Sequence, residues 1–362
     1  MPRPFATVLL DTYNHEAFVQ QAIVSVLEQD FPPSDFEIIV VDDGSTDATP
    51  QLVQKFCPRV RYFRKSNGGQ ASAFNAAIPQ ALGEIVAFLD GDDWWVQQKL
   101  SSITKIFAEH LDVGIVGHGI FQLNSATGLG TTLVPERASR LDLKTLENAA
   151  LFSHWKPFFG TSRVAIRKRV LENILPIPEA LVVEADEFMS TLAVALSPAM
   201  TLVEPLAYYR LHPGNLFQFR KGSNENLRRK ATVMACLAKE LPPRLRDLGV
   251  APEIIKVVLD PIWVDAQRLH LILEGGKSWE TFRVEKKDSQ LAYRRTAAGY
   301  RIFKQLVLGL ALLLPPRLFY RLRAWYTARN LRRLRSWLGE PVPAAPVLER
   351  PLGASSGGRF RT

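Results

Sequence analysis

The sequence predicts an α/β fold in which a mostly parallel central sheet is flanked by helices and followed by a helical extension toward the C-terminus. Three observations carry that prediction. Residues 5–10, 36–41 and 84–89 are short runs of β-branched, aliphatic and aromatic residues, each too apolar to lie half exposed, as strands covered on both faces must be. Residues 15–29, 46–56 and 70–81 fall between those runs and read as helices, the first with Phe18, Ala22 and Val26 on one face. Each run ends in acidic residues or leads straight into them. Ligands of such doubly wound sheets bind at the carboxyl ends of the strands.

Taken in order, the first run leads to Asp11-Thr12-Tyr13-Asn14, with Asn14 where a helix N-cap belongs, and the second to Asp42-Asp43-Gly44-Ser45, with Ser45 or Thr46 in the same position. The third leads to Asp90-Gly91-Asp92-Asp93. Between residues 113 and 206 the pattern is mixed: a short strand, a Gly/Thr-rich loop at 127–132, a strand near 163–166, a helix at about 185–196 and a last strand at 200–204. After a polar stretch at 220–226 the composition turns helical and basic, and residues 341–362, rich in Pro, Gly and Ser, read as a disordered tail. The expected organisation is therefore an α/β domain at 1–215, a helical basic region at 216–340 and a tail at 341–362.

With 47% hydrophobic and 22% charged residues, the 362-residue chain can bury a large core, which excludes a low-complexity or disordered class. Cys57 and Cys236 are too few for a disulfide framework and read as reduced, buried thiols. The first apolar run lacks the pattern of a signal peptide, so a cytoplasmic start is expected. The net charge of +9 is uneven: residues 289–339 hold eleven Lys and Arg and no Asp or Glu, so the rest of the chain is slightly acidic. No nucleic-acid-binding module accompanies the basic segment, and no nucleic-acid partner is expected.

Carboxylates on alternating residues beyond a buried strand suit a hard divalent cation such as Mg²⁺ or Mn²⁺, with phosphate oxygens completing its shell. Asp and Gly are also turn and cap residues, so Asp90-Gly91-Asp92 alone is ambiguous. The second strand end is ambiguous in the same way, although a carboxylate there can accept from a base N–H or a ribose hydroxyl. Tyr13 offers a ring on which a base could stack.

Thr7-Val8-Leu9-Leu10-Asp11-Thr12-Tyr13-Asn14, Val40-Val41-Asp42-Asp43-Gly44-Ser45-Thr46-Asp47, Asn67-Gly68-Gly69-Gln70 and Gly83-Glu84-Ile85-Val86-Ala87-Phe88-Leu89-Asp90-Gly91-Asp92-Asp93 together resemble glycosyltransferase family 2, whose members adopt the GT-A fold, a Rossmann-like sheet. The four motifs span roughly residues 5–100, and a weaker match continues to about Asn215. The resemblance implies inverting transfer of a sugar from a nucleotide diphosphate donor, UDP-sugars being favoured, with Mg²⁺ or Mn²⁺ as cofactor. By position, Asp11, Tyr13, Asn14, Asp43, Gly69, Asn75, Asp90 and Arg210 would line the donor site. Asp92, with Asp90, Asp93 and His212, would serve the metal. Asp11 stands where the family often has Pro or Thr, and Phe74 where an Arg commonly precedes the position of Asn75.

Inverting displacement needs a base for the acceptor hydroxyl on the face opposite the departing diphosphate. The family's acidic motif heading a later helix falls on Glu184-Ala185-Asp186-Glu187. Alignment on Glu184 puts Ala185 at the base position, whereas alignment on Asp186-Glu187 leaves the site intact; Asp186 is preferred and Glu187 is next. His212 and Arg210, in Tyr-Arg-Leu-His, are candidates for the metal or diphosphate, with a loop-supporting role as the alternative. A non-catalytic nucleotide-sugar-binding scaffold of the same fold is the competing function. A nucleotidyltransferase is disfavoured by the lack of a Gly-rich basic loop at the first strand end.

In the basic segment, residues 306–314 are nine apolar or small residues in a row, well short of the ~20 that span a bilayer. Phe319, Trp325, Tyr326 and Trp337 alternate with Arg317, Arg321, Arg323, Arg329, Arg332, Arg333 and Arg335. That mixture suggests an interfacial element on an anionic membrane, placing the protein peripherally at the inner face, beside a glycan or lipid-linked acceptor in surface polysaccharide or glycolipid assembly.

Overall fold

In β1 (Ala6–Thr12) all residues but Asp11 are buried, which is what an apolar run between two parallel neighbours requires. The structure is a computed structural model describing residues 4–212, 214–215, 224–292 and 298–327, and it divides into one unit ending at Phe217 and a second beginning at Gln218. In the first unit β1 is followed by α1 (Val19–Leu27), β2 (Phe36–Asp42), α2 (Thr49–Gln54), β3 (Arg61–Arg64), α3 (Gln70–Ala77), β4 (Ile85–Asp90), β5 (Trp94–Trp95) and α4 (Lys99–Glu109). Then come β6 (Ile115–Asn124), β7 (Gly130–Leu133), β8 (Ser139–Leu141), α5 (Leu146–Trp155), β9 (Val164–Arg167), α6 (Lys168–Glu172), α7 (Ala185–Leu196) and β10 (Ala199–Leu211).

The sheet runs β3-β2-β1-β4-β9-β6-β10-β5, with β7 on β6 and β8 on β10. The β3-β2-β1-β4 half is parallel throughout, and β6 and β10 are also parallel to each other. β9 is antiparallel to both β4 and β6 and joins the halves. Val8, Leu10, Val40, Ala87 and Leu89 pack with Ile23, Val26, Leu100 and Phe107 of α1 and α4, each fully buried aliphatic or Phe contributing roughly 1.5–3 kcal/mol.

Three expectations about local structure need correcting. Asn14 is not a helix N-cap: at φ 55° it accepts the Thr46 N–H (2.7 Å) and donates its own N–H to Ser45 (2.9 Å), cross-linking two strand-end turns, so α1 and α2 start later, at Val19 and Thr49. The last strand extends far beyond 204 because Ala207–Leu211 pair with β6, and Ala207 and Tyr208 also with β5, after register shifts on both sides of Pro205. Part of the loop expected at 127–132 is β7, paired with β6. The cysteines also differ: Cys57 is exposed, in the turn after α2, and Cys236 is half-buried, because the buried stripe of its helix, Asn224–Asp247, runs through Val233, Leu237 and Leu241.

The second unit is helical: α8 (Asn224–Asp247), α9 (Pro252–Leu273), α10 (Ser278–Ala292), α11 (Ala298–Leu313) and α12 (Pro316–Thr327). Val264 and Leu271 of α9, Val284 of α10, Val307 and Ala311 of α11, and Phe319 and Tyr320 of α12 form its core. Arg268 pairs with Asp265 (2.9 Å), Glu285 (3.2 Å) and Asp288 (3.0 Å), and Arg323 pairs with the last two. Arg323, expected among the surface cations, therefore belongs to an internal network. Arg329, Arg332, Arg333, Arg335, Trp337, the side chain of Tyr326 and the tail at 341–362 lie outside the described residues.

Candidate active site

Parallel pairing sets Asp11 of β1 beside Asp90 of β4, and the Gly91 N–H donates to the Asp11 carbonyl at 2.9 Å. Position 91 has no room for a side chain: a Cβ would stand 2.6 Å from Thr12 Oγ1 and 2.7 Å from His15 Nδ1. The turn therefore folds tightly over the end of β1. It gathers Asp90, Asp92 and Asp93 so that one oxygen of each lies within 4.8 Å of the others.

β10 supplies the counter-groups. Its end brings His212 Nε2 to 3.0 Å from Asp92 Oδ2, while the Arg210 N–H donates to Asp93 Oδ1 and the Arg210 Nε to the Asp92 carbonyl, both at 2.9 Å. The Arg210 guanidinium lies between the rings of Phe18 (4.6 Å) and Trp94 (4.4 Å), and Trp94 stacks on Tyr208. Arg210 thus ties the aspartate turn to β10, and His212 pairs with the metal candidate Asp92.

The cluster carries more negative charge than its surroundings offset. Burial, then the charge of Asp92, lifts the Asp11 carboxyl to about 8. Burial and the neighbouring aspartates push Asp90 and Asp93 well above the usual carboxylate range. Burial also pushes Asp92 upward, but the His212 hydrogen bond and the charges of His15 and His212 outweigh it and hold Asp92 below its ordinary value. Asp11 Oδ1 and Asp93 Oδ2 are buried with no hydrogen-bond partner. Three converging carboxylates, two orphaned oxygens and raised carboxyls are the donor set that a hard divalent cation satisfies, so the residues present fit Mg²⁺ or Mn²⁺.

Asp186, at the start of α7, is joined to this cluster through residues absent from the expected site. Its Oδ2 accepts from the Thr161 N–H (2.9 Å) and hydroxyl (3.2 Å). Gln70 Nε2 donates to Thr161 Oγ1 (3.0 Å) and Asp90 Oδ1 (3.3 Å), while Gln70 Oε1 accepts the Ala185 N–H (3.0 Å). Ser162 Oγ accepts the Asp90 N–H (3.1 Å), and beneath it the fully buried Lys99 donates to the Ser162 carbonyl (2.8 Å) and stands over the Trp95 ring. Burial raises the Asp186 carboxyl, opposed by the Arg163 charge and the Thr161 N–H. Glu187 instead pairs with Lys156, and Ala185 is buried. Asp186 is thus a carboxylate of this motif that joins the network.

The remaining donor-site expectations separate. Tyr13 is 39% exposed at the β1 end, open to a stacking partner. Asp43 accepts from the N–H groups of Gly68 (3.0 Å) and Gly69 (2.6 Å) and from Lys65 (2.8 Å), so it organises the Asn67-Gly68-Gly69 loop. Gly69, at φ 83°, touches the segment before α7: a Cβ there would lie 2.5 Å from Val182 Cα, a place only glycine fills. The Asn75 amide donates to and accepts from the Ile177 backbone, both at 2.8 Å, and so pins the chain that leads to α7.

Residues 7–175 match the family model for glycosyl transferase family 2. That region of the chain, a little under half of its length, is similar to glycosyltransferase family 2. The chain is 36% identical over 216 residues, 58% of its length, to an uncharacterised glycosyltransferase of Nostoc sp., of which those residues cover 65%. It is 30% identical over 215 residues, 56% of its length, to the poly(ribitol-phosphate) β-N-acetylglucosaminyltransferase TarS of Staphylococcus aureus, covering 35% of that protein. The chain thus spans less than two thirds of these relatives. The crystal structure of S. aureus TarS 1–349 with UDP-GlcNAc superposes with a TM-score of 0.51 at 20% identity, over 80% of this chain and 93% of that one, a likeness that shows the GT-A fold.

Proposed function

We propose that the protein is a family 2 glycosyltransferase that transfers a sugar, with inversion, from a nucleotide diphosphate donor to a hydroxyl of a glycan or lipid-linked acceptor. One observation carries the reading: Thr161 and Gln70 join the Asp186 carboxylate and the aspartate turn in a single hydrogen-bonded network. Donor and acceptor chemistry need such a fixed relation, because in-line displacement tolerates little misplacement.

In this reading Asp186 takes the acceptor hydroxyl's proton as the new glycosidic bond forms, and its raised carboxyl makes it a stronger base than an ordinary surface aspartate. Asp92, with Asp90 and Asp93, would hold Mg²⁺ or Mn²⁺, and the ion supplies positive charge to the departing diphosphate. Tyr13 would stack on the base, with Asp11 beside it. His212 would keep Asp92 ionised and aimed. A UDP-sugar is favoured, in keeping with the UDP-GlcNAc held by the staphylococcal relative. A lipid-linked acceptor in surface polysaccharide or glycolipid assembly accords with the basic, aromatic segment at 289–339, which suits the inner face of an anionic membrane.

A thermal-shift screen of UDP-, GDP- and dTDP-sugars with and without Mn²⁺ tests the donor side. The expected result is a metal-dependent rise in Tm with one nucleotide class, abolished in Asp92→Asn. No shift with any donor, or an unchanged metal-dependent shift in a folded Asp92→Asn protein, would overturn the assignment.

A further inference from the structure

Helices α11 and α12 each bury one face and leave another apolar face uncovered. In α11, Val307, Leu308 and Ala311 are buried, yet Ile302, Leu306, Leu310 and Leu313 are 46–78% exposed. Their spacing, four, four and three residues, puts them on one stripe. In α12, Phe319 and Tyr320 are buried while Leu318, Leu322 and Trp325, spaced four and three, are 42–59% exposed. Seven large apolar side chains in two stripes within one unit exceed the scattered surface leucines of ordinary proteins.

We propose that these two stripes seat the helical unit on an anionic lipid surface. The side chains are mostly branched alkyl groups, which acyl chains accommodate and a nucleic acid does not. The charges beside them select the lipid: Arg317 and Arg321 are exposed on α12 and pair with no carboxylate among the described residues, Arg317 donating to the Leu273 carbonyl. A second copy docked on the same face would bring arginine against arginine. Residues 328–338 of this chain, with four arginines and no carboxylate, would do the same. Anionic headgroups instead complement the arginines while the leucines and Trp325 enter the headgroup boundary. No helix among the described residues is long and apolar enough to cross a membrane, so the attachment is to the surface. The inference deepens the lipid-linked acceptor reading above but rests on the second unit alone.

Flotation of the full-length protein with phosphatidylcholine vesicles, with and without phosphatidylglycerol, tests it. The protein should float with the anionic vesicles at low salt and not with the neutral ones, and should be released as the screening length falls from about 10 Å at 0.1 M to about 3 Å at 1 M salt. The exposed substitutions Leu306→Gln/Leu313→Gln, and separately Leu322→Gln/Trp325→Gln, should each lower partitioning at least about tenfold. Arg321→Gln should lower it about fivefold, on anionic vesicles only. Circular dichroism should be unchanged in all of them, as should the nucleotide-sugar shift, whose failure in wild type counts against the donor reading and not against this one. The proposal is overturned if wild type ignores anionic vesicles at low salt, or if the glutamine variants bind as wild type does. It is equally overturned if light scattering without lipid shows a dimer that those variants dissociate.

Discussion

Two regions of this molecule enclose charge, and they do so in opposite ways. At the strand ends of the first unit, Asp11, Asp90, Asp92 and Asp93 crowd together with His212 and Arg210 as partial compensation, and two of their oxygens have no partner. In the second unit, Arg268 and Arg323 meet Asp265, Glu285 and Asp288, so that positive and negative groups are nearly matched. A balanced network holds helices together. An unbalanced one carries a standing repulsion that a cation relieves, so the imbalance marks where a ligand belongs.

The largest expected effect lies at the edge of the acidic region. Asp186→Asn should lower kcat by roughly 10²–10⁴-fold with donor affinity nearly unchanged, because proton transfer is lost while ground-state contacts persist. As the proposed base, Asp186 would work only when ionised, so kcat/KM should rise with pH along a limb lying above the ordinary carboxylate range, following its upward shift. A Glu187→Gln enzyme that is dead beside an active Asp186→Asn enzyme would move the base by one residue.

Breaking the balanced region should cost stability rather than activity. Arg268→Met leaves Glu285 buried beside one remaining arginine, and should destabilise the second unit by about 3–5 kcal/mol in a denaturant titration followed by a tryptophan signal. Near-wild-type stability there would erase the contrast between the two clusters. Saturating Mn²⁺ should stabilise the first unit by about 2.7 kcal/mol when free metal is a hundred times its Kd, and EDTA should remove that gain. The smallest effect sharpens the comparison most: without metal, Asp93→Asn should leave Tm unchanged or slightly raised, because it replaces a carboxyl whose charged form burial and Asp92 disfavour, while its amide oxygen still accepts the Arg210 N–H. A large loss of stability would mean that the aspartates are offset by more than the structure shows.

How much of this was legible in the sequence depended on how far apart the cooperating residues lie. β1, β2 and β4 and their acidic ends could be read locally, since parallel buried strands announce themselves as apolar runs. Asp186 could be named as one of two alternatives, because an acidic helix start is a local pattern. The bridge could not be read: Thr161 meets Gln70 across ninety-one positions of sequence, and only the insertion of β9 between β4 and β6 brings Thr161 and Ser162 to Asp90. The Gly160-Thr161-Ser162 triplet, small and polar after two phenylalanines, was the available signal. Lys99 was hidden for another reason, since a single lysine on an amphipathic helix reads as a solvated charge until packing covers it. Arg323 was misread for the same cause, its carboxylate partners lying thirty-five and thirty-eight positions earlier on another helix.

β10 has a consequence for how the chain can vary. It starts against β8, shifts register twice between Leu202 and Ala207, and ends by delivering Arg210 and His212 to the aspartate turn. Side chains alternate across a strand, so one residue gained or lost within that irregular stretch would turn Arg210 to the opposite face and present Tyr209 or Leu211 in its place. Val203 and Glu204 are solvent-exposed, a setting in which length changes are ordinarily harmless. Here the residue count itself is constrained: substitutions at Val203 and Glu204 should be tolerated freely, while a single-residue deletion between them and Ala207 would disarm a site it never touches.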